Sequence, residues 1–350
     1  MGLTTVLALA VFAFPVAVWL GYSEEIASAG GLYSFVEAAA GRRVARVQGA
    51  VWTVSYFLYI PYTVTYVVYD VLPVVFPGIG PYRSTLELLL PLGVVAAVLA
   101  PLRGLLIALL VGGVAQLGLM LAVGGLELAN LGAPARSFAA HGGASAVGNG
   151  TANVSLLLIC GSLPLFLGGE VRGGGKTVRR GLVAAFAIVG AYLLFAAFPL
   201  ADLPPHLRAS EIPGYAIASA YSIRPVAILV GLGTAVSVAG LIVAEYVALS
   251  RLLHAMTGAV VKTSLLWIAV PFLLADALSL VDPERFYDEL LKPSLVALYV
   301  SQVIVFAVYP LFRRRRSRLL PFDLFASAVA SALMGYGLYA VATTQLGLGS

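Results

Sequence analysis

An all-α polytopic membrane protein with about ten transmembrane helices is the fold class this sequence predicts, and three observations carry the prediction. Of 350 residues, 61% are hydrophobic and only 11% are charged, whereas an average soluble domain carries about a quarter charged residues. Mean hydropathy is +0.98. Apolar runs of about 18 residues or more, the length that crosses a bilayer, recur along the whole chain. The net charge of +5 comes from basic residues in short loops between apolar runs. Placed there, they act as orientation signals, and no nucleic-acid partner is expected. Cys160 is the one cysteine, which excludes an intrachain disulfide framework and a thiolate metal cluster.

The apolar runs place spans at approximately 2–22, 46–73, 85–102, 104–126, 152–170, 178–200, 225–252, 264–282, 291–311 and 322–345. Lys and Arg alternate between connections. One set of connections holds fifteen of them, and the other holds only Arg83, Arg136, Arg208, Arg224, Arg285 and Lys292. Cytoplasmic loops carry the basic excess, so the loops Glu170–Gly181 and Arg313–Arg318 are expected in the cytoplasm of a cell membrane, with both chain ends outside. The Arg313–Arg318 cluster chiefly fixes orientation, with anionic lipid as a second use. The connection 127–151 is then an extracellular loop, and the patterns Asn149-Gly-Thr and Asn153-Val-Ser fall in or beside it. Asn153 is equally suited to cap a helix.

The span 152–170 is interrupted. Gly161, Ser162 and Pro164 sit in its middle, and Gly168-Gly169-Glu170 closes it at a glycine-rich basic turn. Unpaired backbone groups at membrane depth survive only where protein or a water-filled cavity receives them. A broken membrane helix therefore points to a substrate site, and the plainer reading is a proline kink packed through small residues. Segment lengths add a repeat. Spans 2–22 and 178–200 are each followed by a linker of about 22 residues, an unusually long span (46–73 and 225–252), and two ordinary spans, entered from opposite sides. This is an inverted repeat of the five-plus-five type within one membrane domain, 1–350. Residues 1–126 form a first, incomplete repeat, 152–311 the second, and 312–350 an accessory C-terminal helix. The broken helix precedes only the second unit, so its counterpart is expected upstream of Met1, in a chain that starts late.

Three stretches resemble the amino acid–polyamine–organocation (APC) transporters. Tyr22-Ser-Glu-Glu-Ile-Ala-Ser-Ala-Gly-Gly-Leu-Tyr is similar to that family's second-helix exit and first cytoplasmic loop. Glu170-Val-Arg-Gly-Gly-Gly-Lys-Thr-Val-Arg-Arg-Gly is similar to the turn after its sixth helix, with glycine and arginine in place of prolines. Val236 to Gly258, ending in Ser250-Arg251-Leu252-Leu253-His254-Ala255-Met256, is similar to its eighth helix. The resemblance covers nearly the whole chain as family helices two to eleven. It implies a secondary active transporter, or permease, moving amino acids or related amines by alternating access. It also implies that the unwound part of the sixth helix, here Ile159, Cys160, Gly161, Ser162 and Leu163, faces a small-molecule substrate with free backbone groups. Ser162 and Leu163 replace the family's aromatic and acidic residues, which favours a small neutral substrate. No cofactor is implied beyond H+ or Na+ as coupling ion.

Residue patterns supply further candidates. Tyr56, Tyr59, Tyr62, Tyr66 and Tyr69 fall within about 140° of one helix face, with Pro61 as a bend. The first three are candidate substrate-path residues, and the last two are equally suited to anchor at the membrane interface. Thr234, Ser237 and Glu245 share a narrow face of the span 225–252. An intramembrane carboxylate is a functional hypothesis by default, and the competing reading of Glu245 is a salt bridge with Arg251. Thr234 and Ser237 are candidate sodium ligands, although such hydroxyls also bond their own helix backbone. Gln116 stands at the depth where proton-driven relatives carry a lysine, and Asp276 is a weaker buried-acid candidate close to the outer surface. Gly175-Lys176-Thr177 ends like a phosphate-binding loop, but Glu170 stands where the first glycine belongs. The alternatives to transport are a non-transporting relative that binds a ligand or partner on the same scaffold, and an integral membrane enzyme. The second is weakly supported, because His141, His206 and His254 lie on loops or helix ends of opposite sidedness.

Overall fold

The computed structural model describes residues 2–133, 135–139, 143–316 and 319–343, and among them the chain forms helices and turns without strands. Ten helices are long and apolar enough to cross a membrane: α1 (Gly2–Ser23), α3 (Arg42–Val75), α4 (Pro77–Leu99), α5 (Leu102–Leu131), α6 (Ala144–Leu167), α7 (Gly174–Ala201), α9 (Arg224–Thr257), α10 (Val261–Ser279), α11 (Pro283–Arg316) and α12 (Pro321–Thr343). Two nine-residue helices, α2 (Leu32–Ala40) and α8 (Pro213–Tyr221), fill the two long linkers ahead of α3 and α9. Helices α3, α9 and α11 are each 34 residues long. At 1.5 Å per residue that is about 51 Å against a hydrocarbon core of about 30 Å, so they tilt or project.

Several expected boundaries move. The connection 127–151 is largely helical, because α5 runs on to Leu131 and α6 starts at Ala144. Its alanines and leucines continue the helix through Glu127. Asn149 and Asn153 therefore lie on α6, and Asn149 accepts a hydrogen bond from the Tyr336 hydroxyl at 2.8 Å. Arg313 to Arg316 end a helical segment and are not a loop. Arg318, His141 and residues 344–345 of the last expected span lie outside the described residues.

The membrane acts as solvent for one set of helices and is excluded from another. On α5, Leu110, Val111 and Val114 are exposed apolar side chains, as the hydrocarbon-facing surface requires. In contrast, α11 is held between α3 and α12 by polar contacts. Gln48 donates to Ser301 (3.0 Å), Ser294 to the Ser55 carbonyl (2.9 Å), and Ser327 to the Phe306 carbonyl (2.7 Å). In a bundle where apolar contact with lipid is nearly as good as with protein, such bonds fix which helices associate.

The end of the bundle carrying Arg42, Arg251 and Arg316 is here called the basic end. There, Glu24 pairs with Arg179 (3.2 Å) and Arg313 (3.8 Å), Arg313 pairs with Asp323 (3.4 Å), and Tyr309 donates to Asp323. The loop between α1 and α2 lies against the glycine turn after α6. A side chain at Gly168 would come within 3.1 Å of the Ser28 amide nitrogen, so the close approach of these two backbones requires glycine there. Gly31 has φ +49°, and a Cβ on it would lie 2.6 Å from the Phe166 ring. Gly31→Ala is expected to destabilise the protein by about 1–3 kcal/mol through backbone strain and ring displacement. Gly161→Ala, with open space around it, should change stability by less than about 0.5 kcal/mol. Thermal unfolding in detergent compares the two.

Candidate functional site

Helix α6 does not unwind at its expected break. It keeps α-helical geometry to Ile159 and tightens into a 3-10 helix from Cys160 to Leu167, with Pro164 inside. The proline removes one amide donor, and the shift to i→i+3 bonding absorbs the mismatch without leaving several groups unpaired. The expectation of an unwound Ile159–Leu163 segment is corrected to a change of helical type beginning at Cys160.

That segment meets α9, and its Phe166 packs against Trp52 of α3. Glu245, on α9, is 0% exposed, and neither carboxyl oxygen has a hydrogen-bond partner among the described residues. It lies within electrostatic range of Cys160, Tyr56 and Tyr59. The Tyr56 hydroxyl and the Ser162 hydroxyl are also buried without partners. A buried polar atom without a partner loses about 1–3 kcal/mol of hydration, so the Glu245 carboxyl with the Tyr56 hydroxyl in its range is a candidate place for a group that bonds to them. The competing partner for Glu245 is ruled out. Arg251 makes a two-point bridge to Glu170 (2.8 and 3.2 Å) and donates to Ser250. Six residues of helix turn Arg251 well away from the Glu245 face, whereas pairing needs a spacing of three or four.

Towards the opposite end, the tyrosines form a ladder. Tyr59 stacks on Tyr62 with centroids 5.5 Å apart, and Tyr62 stacks on Tyr287 of α11 at 4.3 Å, its hydroxyl donating to that of Tyr287 at 2.8 Å. Tyr287 stacks in turn near Tyr66 at 6.5 Å. Tyr66 opens a π-helical segment, Tyr66–Val71, a local widening that recurs at functional sites. Just upstream, Pro61 lacks an amide, and the Thr63 hydroxyl bonds back to the Tyr59 carbonyl. Tyr69 lies under the Arg83 guanidinium, 5.6 Å from its ring centre.

Beyond the ladder lies a cavity of about 550 Å³ between α1, α5, α6, α7, α8 and α9, whose polar lining includes Gln116, Glu127, Asn153, Glu211 and Thr234. The separations along the helices, ten residues from Tyr66 to Tyr56 and eleven from Thr234 to Glu245, put the cavity about 15 Å above the Glu245 cluster. Towards the basic end, the cluster is closed by Trp52, stacked on Tyr56 at 3.9 Å and against Phe166 at 4.7 Å. The Arg251–Glu170 bridge lies beyond.

The structure therefore brings Tyr56, Tyr59, Cys160 and Glu245 together, with Tyr62 in the ladder above. Ile159 and Leu163 pack in the hydrophobic core. Gly161 faces elsewhere, into an apolar cavity of about 80 Å³ beside Phe12, Trp19 and Phe186. Gln116 and Thr234 line the large cavity, and the Thr234 hydroxyl donates to its own helix at Val230. Ser237 is exposed, apart from both. His254 lies 2.5 Å from the Ala259 carbonyl and His206 is at the other end, so those two are not gathered in one site. Sequence reasoning missed Glu127, 4% exposed in the cavity wall, because the span had been ended one residue before it. It also passed over Glu87, 0% exposed, because that residue stands close to the helix start.

No family model matches the chain, and no curated protein is similar to it in sequence. Among solved structures, it is similar to the substrate-bound, outward-open state of a Na+-coupled sialic acid symporter. The TM-score is 0.56 and the identity 12%, over 98% of this chain and 83% of that one. The chain thus has the fold of a membrane transporter. Glu170→Gln is expected to leave the Arg251 guanidinium, only 7% exposed, without its counter-ion, at a cost of about 3 kcal/mol. Adding Arg251→Met should restore part of that stability in the same thermal assay.

Proposed function

We propose that this protein is a secondary active transporter of the APC type, moving small amino acids or related amines across a cell membrane by alternating access. The observation that carries the reading is the unpartnered Glu245 carboxyl at the helical transition of α6, set in a transporter fold. In this reading the substrate's polar groups bond the Ser162 and Tyr56 hydroxyls, while Tyr59 and Tyr62 close over it. Glu245 carries the coupling charge, taking up H+ or Na+ or the substrate's amine, because an isolated carboxylate in this dielectric needs a compensating positive charge. Gln116 and Thr234 line the approach from the large cavity.

The matching pair of nine-residue helices, α2 and α8, each followed by a 34-residue helix, supports the inverted repeat, with 1–126 and 152–311 as its units and 312–350 as an accessory helix. The concentration of Arg and Lys at the basic end supports its cytoplasmic placement. The large cavity then opens toward the outside, while the Glu24, Arg179, Arg313 and Asp323 network and the Arg251–Glu170 bridge hold the inner side shut. Rocking one group of helices against the rest exchanges these two closures.

Proteoliposomes containing the full chain, given labelled neutral amino acids with an imposed proton or sodium gradient, are expected to accumulate at least one of them. Absence of gradient-driven uptake across a broad amino-acid and amine panel would sink the reading. Glu245→Gln should remove a charged contact worth about 1.5–3 kcal/mol and weaken coupling or apparent affinity roughly 10- to 100-fold. The transported compound should also slow alkylation of Cys160, the one thiol in the chain, and a compound that is not transported should leave that rate unchanged.

A further inference from the structure

A second group of buried polar side chains lies outside the path just described, where α3, α4 and α10 meet. Glu87 and Asp276 are both 0% exposed. One Glu87 oxygen accepts from the Thr65 hydroxyl (2.6 Å) and from the Ser279 hydroxyl (2.7 Å), and Ser279 also reaches the Asp276 carbonyl (2.8 Å). The second Glu87 oxygen and both Asp276 carboxyl oxygens are buried without a hydrogen-bond partner among the described residues, and the two carboxyl groups interact electrostatically. Two like-charged groups placed together inside a membrane protein, with three oxygens unsatisfied, are a costly arrangement unless a positive charge sits between them.

An entrance lies alongside. Thr65 also lines a cavity of about 210 Å³ whose other walls are Tyr69, Asp70, Glu284, Tyr287 and Asp288. Three carboxylates and no basic side chain line it. Such a mouth concentrates cations and repels anions.

We propose that Glu87, Asp276, Thr65 and Ser279 bind one sodium-sized monovalent cation, admitted through this acidic cavity and separate from the Glu245 cluster. The donors are all hard oxygens, which select hard cations. Counting the three free carboxyl oxygens and the two hydroxyls gives five ligands, short of the six to eight that calcium takes. One monovalent ion offsets one of the two carboxylates, and the Thr65 and Ser279 hydroxyls donate to the other, Glu87. Because Ser279 belongs to α10 and Thr65 immediately precedes the π-helical segment of α3, an ion here ties α10 to the helix that carries the tyrosine ladder.

The test uses the full chain purified in detergent in sodium-free choline chloride of constant ionic strength. It is titrated with NaCl and followed by thermal unfolding and by binding of radioactive sodium. The melting temperature is expected to rise saturably with sodium, as mass action on the folded state requires, and less with potassium. Asp276→Asn and Glu87→Gln should abolish the rise, and Ser279→Ala and Thr65→Val should each weaken binding about 10-fold or more. If the carboxyl variants fail to fold, the two hydroxyl variants decide, and unchanged sodium affinity in both overturns the proposal. It is equally overturned by a response to calcium alone or to pH alone, or by sodium binding that Glu245→Gln removes and Asp276→Asn keeps. The readout is ion binding and not uptake, so this result and that of the transport assay stand or fall separately.

Discussion

Every backbone N–H and C=O that enters hydrocarbon must find its partner within the protein, and the arrangement of this chain follows from that constraint. Ten long helices satisfy it by themselves. Two of the places where helical geometry changes inside a span, at Cys160 in α6 and at Tyr66 in α3, occur where neighbouring helices shield the altered backbone. Both also lie beside unpartnered polar side chains. At these two places a departure from regular helix coincides with unsatisfied polar side chains.

Buried charge is distributed by the same logic. Where a charge has only to hold helices together, it is paired: Arg251 with Glu170, and Arg313 with Glu24 and Asp323. These pairs lie at the basic end, close enough to water that forming them from hydrated side chains is inexpensive. Glu245, Glu87 and Asp276 are each 0% exposed, and each keeps at least one carboxyl oxygen without a hydrogen-bond partner among the described residues. Aromatic packing separates the two regimes. Trp52, Tyr56 and Phe166 lie on one side of the Glu245 cluster and the Tyr59, Tyr62, Tyr287 and Tyr66 stack on the other, so aromatic rings flank the carboxyl group. Stacked rings with one hydroxyl bond between them pack firmly and part without leaving a buried ion.

Much of this was legible in the residues alone. Apolar run length depends on no partner, so all ten spans could be read directly, including the two long ones preceded by long linkers. The tyrosine stripe follows from helical periodicity, and Gly161, Ser162 and Pro164 marked where α6 changes. The kind of change was not legible. Whether a proline-bearing helix unwinds or tightens depends on whether neighbouring helices offer partners to the freed groups, and here the backbone found them at i→i+3 within its own segment.

Pairing was the part that sequence did not determine. Glu245 and Arg251 lie on one helix and invite a salt bridge, yet helical phase turns them apart, and the guanidinium is taken by Glu170 from another helix. Asp276, a weak candidate near the surface, and Glu87 are far apart along the chain, yet folding buries both and sets Glu87 against the Ser279 and Thr65 hydroxyls. Local propensity and hydropathy act over a few turns of chain, and they determined the ten helices and the face that each tyrosine occupies. Which buried carboxyl meets which hydroxyl is decided only when helices pack, because that contact energy exists in the assembled bundle and nowhere in the separate strings.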